Sequence, residues 1–148
     1  MWLNLTNAES AAEEPWNDTA PTSTHFTIKG TANDPNTNKD GEDYIACLFA
    51  SVDGISKVGS YTGNGSASGP IVTLGFSPRF ILIKCTSGGT NWFVYDTLRG
   101  LSSGNDQRLQ LNDTGNQVAA DDIDPSATGF QVVSTWDQLN GNTQNYLY

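Results

Sequence analysis

The sequence predicts an all-β chain folded as an antiparallel β-sandwich of jelly-roll-like type. Three observations lead there. Apolar residues come in short runs, several with the period-two alternation that puts successive side chains on opposite faces of a strand. The gaps between runs are filled with Gly, Asn, Ser and Thr, the residues of tight turns, and glycine alone numbers 15. No segment carries an apolar stripe at helical spacing. At 148 residues the chain is long enough for a core without metal or disulfide staples, since chains of this size bury roughly 70% of their surface.

Taken in order, the first predicted strand is His25–Lys29, where Phe26 and Ile28 share a face. Tyr44–Ser51 is a longer apolar run, and Ser56–Thr62 follows. Ile71–Leu74 comes directly after Pro70, a position where a missing N–H does least harm. Phe80–Cys85, shortly after Pro78, is continuously apolar in Phe80-Ile81-Leu82-Ile83 and reads as a central strand covered on both faces. Asn91–Asp96 comes next. Arg108–Leu111 places Leu109 and Leu111 on one face. Phe130–Val133 and Asn145–Tyr148 complete the set. Gly63-Asn64-Gly65, Ser87-Gly88-Gly89 and Asn140-Gly141 supply turns. Asn7–Glu14 is the one helix candidate, and it lacks an apolar face. The expected core is Phe26, Ile28, Ile45, Leu48, Val72, Ile81, Ile83, Val94, Leu111, Phe130 and Val132.

A self-similarity runs through the chain. Leu3-Asn4-Leu5, Ala11, His25-Phe26-Thr27-Ile28 and Tyr44 recur about a hundred residues later as Leu109-Gln110-Leu111, Ala119, Gly129-Phe130-Gln131-Val132 and Tyr146. On this reading residues 1–51 are the later part of one repeat unit, and 52–148 are a main sandwich unit stopped at its last strand. The chain would then be a fragment of a tandem-repeat protein, with Tyr146-Leu147-Tyr148 left as an exposed, unfinished strand.

The formal net charge is −9, with only 7 Lys plus Arg. Such a surface repels phosphate backbones and anionic headgroups, which argues against nucleic acid and membrane partners. No window approaches a membrane span, and Met1-Trp2-Leu3-Asn4-Leu5 has neither the basic start nor the apolar centre of a signal peptide. Cys47 and Cys85 each lie within an apolar run. They read as buried thiols, with one disulfide as the alternative.

Tyr44-Ile45-Ala46-Cys47-Leu48-Phe49-Ala50 leads into Gly54-Ile55-Ser56-Lys57-Val58-Gly59-Ser60-Tyr61-Thr62-Gly63-Asn64-Gly65. After Gly69-Pro70 come Leu74-Gly75-Phe76-Ser77-Pro78-Arg79-Phe80-Ile81-Leu82-Ile83-Lys84, then Asn91-Trp92 and Tyr95-Asp96-Thr97. This order, over Phe26–Tyr148, resembles an uncharacterised β-rich module of phage tail-fibre and related virion proteins, mainly of marine phages. In those proteins the module often stands in tandem and beside concanavalin-like jelly-roll modules. Cys85 departs from the polar or basic residue expected there. The resemblance implies a virion location and a non-enzymatic structural or adhesion role in host attachment. It also implies a homo-oligomeric fibre whose partners are other tail-fibre segments.

The residues that could carry chemistry are few. Asn36-Thr37-Asn38-Lys39-Asp40-Gly41 has oxygen ligands at alternate positions before a glycine, like the opening of a calcium loop, which makes Asn36, Asn38 and Asp40 candidate ligands. The first position is Asn where Asp is usual, and Cys47 stands where the closing Glu belongs. The corresponding Leu139-Asn140-Gly141-Asn142 has no carboxylate, so a plain hairpin turn explains both stretches, and no metal or cofactor is expected. His25 is the only histidine and is matched by Gly129 in the second copy, which does not suit a catalytic base. Asp121, Asp122 and Asp124, and separately Glu13 and Glu14, could in principle serve glycoside hydrolysis, but both groups lie in Pro-containing loops and read as solvated. Trp16 and Trp136, in polar surroundings, are the candidate platforms for stacking on sugars, whereas Trp92 reads as core. No catalytic residues are expected, and the function that the resemblance implies is that of an attachment-fibre module. Recognition of host surface glycan is the alternative, and a fragment of a glycan-degrading tailspike is the third reading.

Overall fold

The computed structural model describes residues 5–8, 19–29, 33–34 and 37–148. The chain divides into two compact units, one of residues 1–9 with 49–148 and one of residues 10–48. In the smaller unit, β1 (Asn33–Asp34) and β2 (Asn38–Lys39) form a two-residue antiparallel ribbon. Gly41, at φ +77°, turns the chain just after it.

The larger unit holds β3 (Ser60–Thr62), β4 (Ile71–Thr73), β5 (Phe80–Cys85), β6 (Trp92–Asp96), β7 (Asp106–Gln110), β8 (Val118–Ala120), β9 (Ile123–Ser126), β10 (Gly129–Val132), the single helical turn α1 (Asp137–Asn140) and β11 (Asn145–Leu147). They make a six-stranded sheet ordered β3-β11-β5-β6-β7-β8 and a three-stranded sheet ordered β4-β10-β9, with every pairing antiparallel. The all-β antiparallel sandwich is the observed fold. The chain passes between the sheets at both sides. The loop after β3 leads to β4, and Asp121-Asp122 alone separate β8 from β9.

Alternation along each strand explains the core. On β5, Ile81 and Ile83 face inward opposite Tyr95 and Phe93 of β6. Val72, Phe130, Val132 and Ile123 answer from the three-stranded sheet, and Tyr61, Tyr146, Leu101 and Leu139 fill the remainder. The Tyr61 and Tyr146 rings stack at 4.9 Å between centroids, and their hydroxyls donate to the carbonyls of Leu139 and Asp137 at α1. Asn140, fully buried, accepts from Asn64 N–H and donates to the carbonyls of Ser66 and Ser134, so it ties the β3–β4 loop to α1. A side chain at Gly69 would collide with the Val132 carbonyl and the Asn140 amide, which is why the loop carries glycine there.

Several expectations need correction. Val72, Ile81, Ile83, Val94, Phe130 and Val132 are buried as expected, but Phe26, Ile28, Ile45, Leu48 and Leu111 are exposed. Residues 25–29 and 44–51 form no strand. His25 belongs to a local turn in which Thr22 N–H donates to its carbonyl. Leu111 lies just past the end of β7 and shares the parity of Gln107 and Leu109, opposite to the inward Asp106 and Arg108. Phe130 is buried on β10 while Phe26 lies off any strand, and Tyr146 is buried while Tyr44 is exposed. The two similar stretches therefore have different structural settings. β11, read as an exposed strand, is interior and pairs with both β3 and β5. Asn7 and Ala8 are not helical, and the rest of that helix candidate lies outside the described residues.

Candidate functional site

The densest group of polar side chains lies between the sheets beside the β8–β9 crossing. Alternation on β7 turns Asp106 and Arg108 inward. Arg108 Nη1 lies 2.7 Å from Asp122 Oδ2, and Tyr95 Oη donates to the same oxygen at 3.1 Å. The guanidinium sits 4.4 Å from the Trp136 ring centre and 5.4 Å from that of Phe93. Asp106 is fully buried. Its Oδ2 accepts the N–H groups of Asp122 and Ile123, and its Oδ1 accepts that of Ser102. Burial raises the Asp106 pKa above the usual carboxylate range, and those three N–H bonds pull it partly back. Asp122 was expected in a solvated loop. It is buried because Arg108 and Tyr95 replace its water. Asp106 has both oxygens bonded to backbone N–H groups and Asp122 holds Arg108 and Tyr95, so this group fastens the two sheets.

A second group lies on the opposite face of the six-stranded sheet. Lys84 is fully buried and donates to the carbonyls of Thr6 at 2.9 Å and Thr90 at 2.6 Å, with its Nζ 6.0 Å from the Trp92 ring centre. Burial lowers its pKa. Next to it on β5, Cys85 points the other way, into the core, and donates to Gln144 Oε1 at 3.1 Å. Cys85 is buried as expected. Cys47 is exposed, because the run that carries it enters no sheet among the described residues, and both thiols are free.

The residues singled out from the sequence do not converge. Trp16 and Asn36 lie outside the described residues. Trp136 is half-buried and packed against Phe93 and Arg108. Asn38 sits on β2 and donates its side-chain amide to the Lys29 carbonyl, while Asp40 is exposed. Among the described residues, no three His, Cys, Asp or Glu side chains gather as a metal-sized group. His25 Nδ1 is 3.0 Å from Thr22 Oγ1 and 3.1 Å from Thr24 Oγ1, in its own turn. Arg108 and Asp106 were not anticipated as a group with Asp122, because Asp122 reaches them only through the pairing of β7 with β8.

The most conspicuous surface feature is the stretch from Tyr44 to Ile55. Ile45 is 96% exposed, Leu48 73%, Phe49 67% and Ile55 75%.

Residues 1–148 match the family model described as "Domain of unknown function (DUF7483)", and the chain belongs to that family. No curated protein and no solved structure matches it.

Proposed function

We propose that the chain is a non-enzymatic structural and adhesion module of a phage tail fibre or similar virion appendage, contributing to host attachment. The observation that carries this reading is the use of the buried charged groups. Arg108, Asp122, Asp106 and Lys84 are each bonded into the scaffold, joining strands, sheets and the N-terminal stretch. The resemblance of the motif order from Phe26 to Tyr148 to tail-fibre modules supports the virion context, and the net charge of −9 suits a surface kept off nucleic acid and membrane. Immunogold labelling of intact particles of a virus that encodes the chain tests it. Label on the tail appendage is expected. Label on the capsid, or none on the particle, would overturn it.

Recognition of host glycan is the second reading, favoured by Trp136. Its ring is held in place by Arg108 and Phe93 while the residue is only half-buried, and a pre-positioned ring binds at low entropic cost. A glycan array probed with the wild-type chain and with Trp136→Ala separates the two, because binding lost in the variant alone identifies the ring as the platform.

A further inference from the structure

Tyr44–Ala50 is a strand by sequence but not in the structure. Its alternate positions, Tyr44, Ala46, Leu48 and Ala50 on one side and Ile45, Cys47 and Phe49 on the other, are apolar or small on both faces. That is the pattern of a strand covered front and back. Every residue of it is exposed, and among the described residues none of its backbone groups enters a ladder.

Among the described residues the sandwich has strand edges with no neighbour that could receive it, and charge distinguishes them. From Val58 to Pro78 the sequence holds no charged residue, and this stretch contains both β3 and β4, the edge strands at one side. At the other side, β8 and β9 lie among Asp113, Asp121, Asp122 and Asp124. On β4 the outward groups follow from register. Pro70 C=O and Leu74 N–H bond toward β10 and its turn, and Val72 pairs with Phe130. The alternation of an antiparallel ladder therefore turns the N–H and C=O of Ile71 and Thr73 away from β10. The Ile71 side chain beside them is 76% exposed.

We infer that Tyr44–Ala50 of one copy adds as a strand to the open β4 edge of a second copy. The partner is another copy because the chain holds both halves of the contact and because of charge. Two molecules of net charge −9 repel wherever their acidic surfaces meet, yet Tyr44–Val52 and Val58–Pro78 are both free of charge. A basic partner would be drawn to the β8–β9 side instead. Backbone bonds from Ile71 and Thr73 give the affinity, and the apolar faces of the added strand cover Ile71 and the adjoining edge of the core. Donor and acceptor are different surfaces, so the contact is head-to-tail and can repeat. The inference goes beyond the virion reading. A monomeric chain would overturn it and leave that reading to its own labelling test.

Sedimentation of the purified chain over a wide concentration range is the test. Wild type should grow beyond its 15.9 kDa monomer as concentration rises. Leu48→Asp removes the donor and Ile71→Asp the acceptor. Each side chain is exposed, so each variant should keep the wild-type circular dichroism spectrum and stay monomeric. Should either misfold, Phe49→Asp or Thr73→Asp replaces it. Mixing the donor and acceptor variants leaves one intact donor and one intact edge, so the mixture should form a species of twice the monomer mass and stop there. A wild type that stays monomeric, a variant that associates like wild type, or a mixture that stays monomeric would each overturn the inference.

Discussion

Arg108 places its guanidinium 4.4 Å from the centre of the Trp136 ring while one of its nitrogens holds Asp122 at 2.7 Å. A single side chain of β7 thus braces the segment before α1 and the β8–β9 crossing. Arg108→Met should destabilise the chain by about 3–5 kcal/mol, because Asp122 is left as a buried charge with only the Tyr95 hydroxyl for support. Adding Asp122→Asn should restore part of that loss by removing the orphaned charge. Urea unfolding of the two variants measures both effects, and equal stabilities would show that the ion pair is not what matters.

Alkaline pH should unfold the chain through its buried tyrosines. Burial raises the pKa of Tyr61 and Tyr95, and it pushes Tyr146 up to about 12 even though the Gly141 N–H bond pulls the other way. A raised phenol pKa means that the fold favours the neutral ring. The resulting stabilisation is complete below the unfolded value of about 10 and is lost as pH climbs through the folded values. Tyrosinate absorbance from these three rings should therefore rise together with the loss of near-ultraviolet circular dichroism. A titration of all the tyrosines finished well before unfolding would contradict this.

The two thiols should react on different timescales. Cys47 is open to solvent and Cys85 is enclosed against Gln144, so a thiol reagent should modify one cysteine per native chain at once and the second only under denaturant. Cys47→Ser should abolish the fast phase.

Phe130→Ala should cost about 3–5 kcal/mol, because the ring is 1% exposed between the sheets and its loss leaves a cavity. Phe26→Ala should cost much less, since that ring is 36% exposed and off any strand. Equal costs would reinstate the two phenylalanines as equivalent core positions.

Lys84→Met should loosen the N-terminal stretch. The Thr6 carbonyl loses its donor, so amide exchange at residues 5–8 should quicken while β6 and β10 stay protected. Uniform acceleration across the sheet would indicate a general loss of stability instead.

The strands that could be read from sequence are those whose side chains meet the core unaided. The Phe80–Cys85 run matches β5 residue for residue, and Ile71, Trp92 and Phe130 mark β4, β6 and β10. Val118-Ala119-Ala120 and Ile123-Asp124-Pro125-Ser126 read as loop because they are short and carry Ala, Asp and Pro. They are strands because β7 and β10 pair with them. Tyr44–Ala50 shows the reverse, a strong local strand signal that no strand among the described residues answers. Trp136 stood out as an aromatic in polar surroundings. Its guanidinium partner did not, because Arg108 on β7 and Trp136 before α1 meet only in the folded chain.

The position of β11 has a consequence for how the molecule is made. Asn145–Leu147 fills an interior slot between β3 and β5, although every other strand of that sheet is synthesised before it. However far the polypeptide extends in either direction, β3 has no neighbour in the sheet until residues 145–147 leave the ribosome. Until then the nascent chain must hold a gap in its main sheet open, with the Tyr61 side chain waiting for Tyr146. Folding of this unit is therefore a late event that joins residues far apart in sequence, the arrangement that makes β-rich chains slow to fold.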